Sequence, residues 1–345
     1  MNHPYPQPHP RTGLLPGTFG IGTFADTALV FPALVLPDGS VIDISARFSD
    51  THAVFDDWER AFGELTRLAS GEEPTHRIED IRALPPLARP NLLCAGANYK
   101  QHVAEMLTKN AFNQHNRFPG ESDEDFYRRN YAMMEKRADD GTPFLWTGLH
   151  SSLAGADDDI VLPGVGVQHD WELEIGVVLS GGARNATPSA AAGLIAGYLM
   201  VNDLGTVDLF RRTDIPWGYD WIAKHQPGFK PAGPFIVPAP FVDVDQVRIR
   251  LRLNDEVMQD WPANDMVFDF PRLVAYASER VRLMPGDILI AGSPPGNGMH
   301  HGRFLTDGDI IDSEITGLGR QRNRCRNEHA DREPVYGAWK NEVHA

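Results

Sequence analysis

The chain has 345 residues, 42% of them hydrophobic and 23% charged, and its 32 Lys+Arg against 47 Asp+Glu leave a formal net charge of −15. This is a soluble globular composition with room for a sizeable core and about two domains. The acidic surplus excludes nucleic acid and an anionic membrane as main partners, because the mean surface field repels both.

Two cysteines, Cys94 and Cys325, are too few for a disulfide framework or a cysteine metal knot, so a reducing compartment is expected. Residues 1–16 are rich in Pro and His and lack an apolar h-region. No run of about 18 apolar residues occurs anywhere, so the expectation is neither a signal peptide nor a membrane span, and a cytoplasmic location. Residues 29–45 hold two short runs of β-formers around Pro37-Asp38-Gly39, a hairpin signature. Phe55, Trp58, Phe62, Leu65 and Ala69 then recur at helical steps up to a stop at Gly71. The polar GEEPTH stretch and Pro85, Pro86 and Pro90 place a domain boundary near residue 85, with residues 1–85 a smaller N-terminal domain and 86–345 the larger one.

From Asn91 an apolar run leads through a glycine turn into a helix start. Residues 107–142, with an N-capped helix after Ser122, read as an inserted, lid-like segment. From residue 158 onward strands dominate, with turns at Asn254-Asp255, Pro285-Gly286-Asp287 and Asp307-Gly308-Asp309. Two helices interrupt them. One opens at Thr187-Pro188 and carries AAAGLIAGYLM; the other opens at Asp269 and carries RLVAYASERV. The sum is a β-rich α+β protein.

Three groups of residues can carry chemistry. In HDWELEIGVVL, residues 169–179, Glu172 and Glu174 alternate along a strand and so share a face, roughly 7 Å apart. Two such carboxylates at the edge of an apolar strand call for a cation or a proton, and Mg²⁺, Mn²⁺ or Ca²⁺ prefers oxygen ligands. Asp203, after the apolar run ending in Asn202, is a third candidate. Solvated acids and a simple turn remain the alternatives, and His150, His169 and Asp170 leave an iron site of imidazole and carboxylate open. On a helix from about Asn98, His102 and Glu105 lie three apart, where a carboxylate can orient an imidazole as a base; a surface ion pair is the alternative. The loop AGSPPGNGMHHG, residues 291–302, lacks a P-loop ending and instead permits close backbone approach. Lys224 is a lone cation among aromatic and apolar residues, suited to an enolate or carboxylate.

In order, N-Y-x-x-H-x-x-E at 98–105, D-W-E-x-E at 170–174, A-G-Y-x-x-x-N-D at 196–203, W-x-x-x-K ending at Lys224, L-x-P-G-D at 283–287 and G-S-P-x-G at 292–296 resemble the fumarylacetoacetate hydrolase family. The resemblance implies a β-rich roll of mixed strands with a smaller N-terminal domain, commonly a homodimer. It implies Glu172, Glu174 and Asp203 as ligands of a divalent cation, His102 with Glu105 as a water-activating dyad, and Lys224 as the active-site lysine. It further points to Tyr99 and Ser293 at the substrate. Such enzymes include C–C bond hydrolases of 1,3-diketo and 2-oxo acids, decarboxylases, and hydratases or isomerases of aromatic catabolism.

Retention of His102 and Glu105 favours hydrolysis, with water added to the distal carbonyl and the leaving carbon departing as an enolate held by Lys224. Where the family continues N-D with x-S-A-R-D-x-Q, this chain has Val207 and Phe210 in place of Arg and Gln, and FLWTGL at 144–149 replaces F-L-K-P. A more apolar substrate is therefore expected, with Arg211 or Arg212 supplying any carboxylate contact. A hydratase, isomerase or decarboxylase of the same family, an iron oxygenase using His169 or His225, and a catalytically degenerate binding protein stand as rival readings.

Overall fold

The computed structural model describes residues 5–109, 111–210 and 221–329. Six α-helices occur among them: α1 (Trp58–Gly71), α2 (Lys100–Lys109), α3 (Asp123–Asp140), α4 (Pro188–Ala192), α5 (Phe270–Arg280) and α6 (Gly298–His301). Their starts follow local chemistry. Ser122 Oγ accepts from the Asp125 amide at 3.1 Å and Asp269 Oδ1 from the Arg272 amide at 3.0 Å, caps worth about 1 kcal/mol each. No described helix is long and apolar enough to cross a membrane.

Strands form the frame. A five-stranded antiparallel sheet contains only residues from the first 83, and its hairpin joins Val30–Val35 to Ser40–Asp43 through Gly39, whose φ of 87° suits the turn. Ile21 pairs with Ile236 outside this sheet, and Phe19, Ile21 and Leu34 share a core with Leu92, Val178 and Ile290. The central sheet has the order Val237–Pro238, Ile195–Asn202, Leu173–Leu179, Ile288–Ile290, Leu92–Gly96 and Phe144–Gly148. Ile288–Ile290 and Leu92–Gly96 run parallel; the other neighbours are antiparallel. A second five-stranded sheet joins Glu256–Pro262, Arg248–Leu253, Ile310–Ile315, Gly319–Asn327 and Ile160–Leu162. Helix and strand are thus mixed, with strands dominant after residue 158.

The segment AAAGLIAGYLM differs from its expected helix. α4 stops at Ala192, and from Ile195 the chain is a strand inside the central sheet, six of whose eight residues are buried. A continuous apolar run reads alike as buried helix or buried strand, and here pairing with Leu173–Leu179 decides for the strand.

Within 107–142, Asn130 Nδ2 donates to Thr108 Oγ1 at 3.1 Å and Phe126 and Met134 are buried; Arg272 Nη1 on α5 donates to the Ala138 carbonyl at 2.5 Å and so ties α3 to the body. Asn98 fixes the start of α2: its Nδ2 donates to the carbonyls of Phe268 and Ala291, and its Oδ1 accepts from the Phe268 amide at 2.9 Å.

Candidate active site

Glu172, Glu174 and Asp203 come together because Leu173 pairs with Asn202 in the central sheet. That register sets Glu172 opposite Asp203, whose amide donates to the Glu172 carbonyl at 2.8 Å, while Asn202 Oδ1 accepts from the Glu172 amide at 2.9 Å. Asn202 therefore ties the strand ends and Asp203 faces the cluster. One carboxylate oxygen from each acid lies within 4.8 Å of the others, the one group of three potential metal ligands found among the described residues. Glu174 and Asp203 are buried. Glu174 Oε2 accepts from the Gly292 amide at 2.7 Å, so the glycine-rich loop makes its close backbone approach to a carboxylate.

Two ammonium groups meet this cluster. Lys224 Nζ donates to Glu172 Oε2 and to Asp203 Oδ2, the latter at 2.8 Å, and Lys230 Nζ donates to Asp203 Oδ1. Lys230 is fully buried. Its pairing with Asp203 spans 27 residues of sequence, and no motif reading singled it out. Three carboxyl groups meet two ammoniums, so the acids outnumber their counter-charges by one.

Burial raises Glu172 above the ordinary carboxylate range despite Lys224. Burial, then the neighbouring Asp203 and Glu172, raises Glu174 further. Burial acts on Asp203 in the same sense, but Lys224 and Lys230 override it and hold the carboxyl low. Burial opposes the charge on Lys224, yet Asp203, Glu172 and Glu174 keep its ammonium firmly protonated. Hard oxygen donors in close convergence, one of them strained toward its proton by burial, fit a divalent cation of the Mg²⁺, Mn²⁺ or Ca²⁺ type.

His102 is buried on α2 and lines a cavity of about 160 Å³ with Glu105, Lys109, Asn297, Met299 and His300. Burial, then the fields of His300 and Lys224, lowers its pKa to about 4, so the ring is neutral near pH 7. The expected pairing with Glu105 is corrected. Glu105 Oε1 accepts from Gln101 Nε2 at 2.5 Å, Oε2 lies 2.8 Å from His300 Nδ1, and His102 has no hydrogen bond to it. The three-residue spacing allows the pair, but Gln101 donates to Oε1 and Oε2 is turned toward His300.

Two residues expected at the substrate, Tyr99 and Ser293, make hydrogen bonds within the protein. Tyr99 is wholly buried, with its hydroxyl 3.4 Å from the Ala263 carbonyl. Ser293 Oγ donates to the Pro294 carbonyl at 2.9 Å and accepts from Gln259 Nε2 at 3.1 Å, so it stabilises the loop. Val207 is half-buried, its amide on the Gln168 carbonyl at 2.9 Å. Phe210 packs on Trp221 with centroids 5.6 Å apart, Trp221 stacks on Trp146 at 5.7 Å, and Lys224 Nζ lies 5.7 and 5.8 Å from the Trp146 and Phe210 rings. This aromatic wall requires Gly205, since a Cβ there would stand 2.6 Å from the Phe210 ring. Arg211 and Arg212 lie outside the described residues.

The histidines considered for iron are placed elsewhere. His169 Nδ1 is 3.1 Å from Thr206 Oγ1, His225 Nε2 is 3.1 Å from the Thr147 carbonyl, and neither belongs to the carboxylate group. Asp170 accepts from the amides of Trp171, Gly298 and Met299, while Trp171 Nε1 donates to the Gly296 carbonyl at 3.0 Å. A Cβ at Gly298 would fall 2.3 Å from the Arg303 carbonyl oxygen, so only glycine allows α6 to begin there.

Comparison with known proteins agrees with this geometry. The family model "Fumarylacetoacetate (FAA) hydrolase C-terminal" matches residues 91–326. Oxaloacetate tautomerase Fahd2a, mitochondrial, of Rattus norvegicus is 29% identical over 265 residues, covering 76% of this chain and 74% of that protein. The 2,4-didehydro-3-deoxy-L-rhamnonate hydrolase of Sphingomonas sp. (strain SKA58) is 33% identical over 186 residues, covering 53% and 64% respectively. A solved structure from Mycobacterium smegmatis, assigned as HpcE, superposes with a TM-score of 0.70 at 28% identity, covering 89% of this chain and 99% of that one. With its model spanning well over half of the sequence and the fold in agreement, the chain belongs to the fumarylacetoacetate hydrolase family.

Proposed function

We propose that the chain is a divalent-metal-dependent hydrolase that cleaves a C–C bond in a 1,3-diketo or 2-oxo acid. The observation that carries this reading is the convergence of Glu172, Glu174 and Asp203 within 4.8 Å, with Lys224 bridging Glu172 and Asp203 and its field reaching a buried neutral imidazole, His102. A cation held by the three acids would supply Lewis-acid polarisation of the substrate's 2-oxo group. Lys224 holds Glu172 and Asp203 in register and places positive charge where an enolate oxygen develops. His102, its pKa lowered to about 4 and its ring therefore unprotonated near pH 7, accepts a proton from water as its oxygen adds to the distal carbonyl. The C–C bond then breaks, its electron pair passes to the enolate, and the proton on His102 is available to the leaving carbon. Trp146, Phe210 and Trp221 offer an apolar surface in place of the absent Arg and Gln, which favours a substrate with an uncharged tail.

A second reading is tautomerisation or isomerisation of a 2-oxo acid. The position of Glu105 on His300 favours it, because an imidazole without a carboxylate partner can shuttle a proton from an acidic carbon yet activates water less well. Product analysis by mass on acylpyruvates, with and without chelator, separates the two. Two fragments formed only with metal support hydrolysis. An unchanged mass with altered enol absorbance supports tautomerisation, and turnover that survives both chelator and His102→Ala refutes both.

A further inference from the structure

Glu105 sits at the centre of a relay that no motif reading assigned. Tyr127, on α3 of the 107–142 segment, donates its hydroxyl to Gln101 Oε1; Gln101 Nε2 donates to Glu105 Oε1; and Glu105 Oε2 faces His300 Nδ1 at 2.8 Å. The relay links three helices, α3, α2 and α6, and its members Glu105 and His300 line the same cavity as His102. His300 is itself held in place, because α6 begins on the Asp170 carboxylate. The charged groups facing His300 are Glu105 and Lys109 from α2 and His301 from its own helix; those acting on His102 are His300 and Lys224. Residues three apart on a helix share a face, so Glu105 Oε2, no longer drawn to His300, can turn toward His102 while Gln101 keeps Oε1.

We propose that His300 is a positioning residue that sets the basicity of His102: by holding Glu105 away from His102 it keeps the base an unassisted imidazole. Its bearing on catalysis rests on the reading of His102 as the base. Removing His300 frees Glu105 to accept from His102 and also removes a like-charged neighbour, and both changes favour the protonated ring. An upward shift of about one pH unit, a tenfold gain in proton affinity, is expected.

The test is an imidazole ¹⁵N NMR titration of the full chain without substrate, the His102 signal being assigned by its loss in His102→Asn. In His300→Ala the His102 titration moves up by about a unit, and in His300→Asn, whose amide can donate to Glu105, it returns toward the wild-type position. Glu105→Gln leaves it near the wild-type position, because Glu105 does not act on His102 while clamped. An unchanged His102 titration in His300→Ala, or a downward shift of a unit in Glu105→Gln, overturns the proposal. The acid limb of kcat/KM measured on the same variants is a separate readout. If the NMR shift appears and the limb fails to follow it, His300 positions Glu105 as proposed and the assignment of His102 as base is what fails.

Discussion

Lys230→Met tests the electrostatic balance of the site directly. The Lys230 ammonium is wholly buried, donates to Asp203 Oδ1 and to the Lys224 carbonyl at 3.0 Å, and lies 5.2 Å from the centre of the Trp146 ring. Met matches its length and keeps the contact with the ring, but removes one of the two ammonium charges that face the acids. Breaking one side of a buried pair costs about 3–5 kcal/mol. A divalent cation then meets a more negative site and binds at least as tightly as in the wild type. At a hundred times its Kd it restores about 2.7 kcal/mol to each protein. Urea unfolding in EDTA, and in MgCl₂ at fixed multiples of each protein's measured Kd, provides both numbers. The expected result is a deficit of about 3–5 kcal/mol in EDTA with unchanged or stronger Mg²⁺ binding. Equal stabilities in EDTA, or Mg²⁺ binding weakened by the substitution, would refute the account of Lys230 as the buried counter-charge of Asp203.

Glu174→Gln should abolish metal-dependent turnover, by roughly a hundredfold or more. It should leave urea stability unchanged or slightly raised, because burial already drives this carboxyl toward its neutral form; a large loss of stability would contradict that. His102 makes folding pH-dependent with a definite sign. Its folded pKa of about 4 lies below the ordinary 6.5, so the unfolded chain binds more protons between them and stability falls as pH drops through that window. The full effect is about 3 kcal/mol, so between pH 7 and pH 4 the wild type should lose about that much more stability than His102→Gln. Asn98→Ala removes three buried hydrogen bonds that anchor α2 and should cost about 2–4 kcal/mol in the same assay. A loss below about 0.5 kcal/mol would show that the anchor is dispensable.

The carboxylate cluster was legible because strand alternation is short-ranged: Glu172 and Glu174 had to share a face, and Asn202-Asp203 was an unusual polar ending for an apolar run. The hairpin at Gly39 and the capped helices after Ser122 and Asp269 were legible for the same reason. What escaped is contact between distant segments. Lys230 carries no local mark, and the hold of His300 on Glu105 depends on how the loop after Ile290 folds over α2. The spacing of His102 and Glu105 permitted a pair but could not show that Gln101 and His300 compete for the same carboxylate. Trp146 stood in a stretch noted only for departing from a pattern, and its stacking with Trp221 requires the central sheet to place its strand beside Lys224.

Asp170 and Trp171 bind the loop at 296–299 to the strand that carries Glu172 and Glu174. The acids and His300 are therefore parts of one stiff unit, and a displacement of either drags the other. The aromatic wall is tied into the same unit: Gly205, against which Phe210 packs, pairs with Asp170, and the Trp146 ring lies 5.2 Å from Lys230 as well as 5.7 Å from Lys224. A substitution that moves Phe210 or Trp146 is therefore felt at the lysines that neutralise Asp203, so the rings and the carboxylate cluster cannot be altered independently.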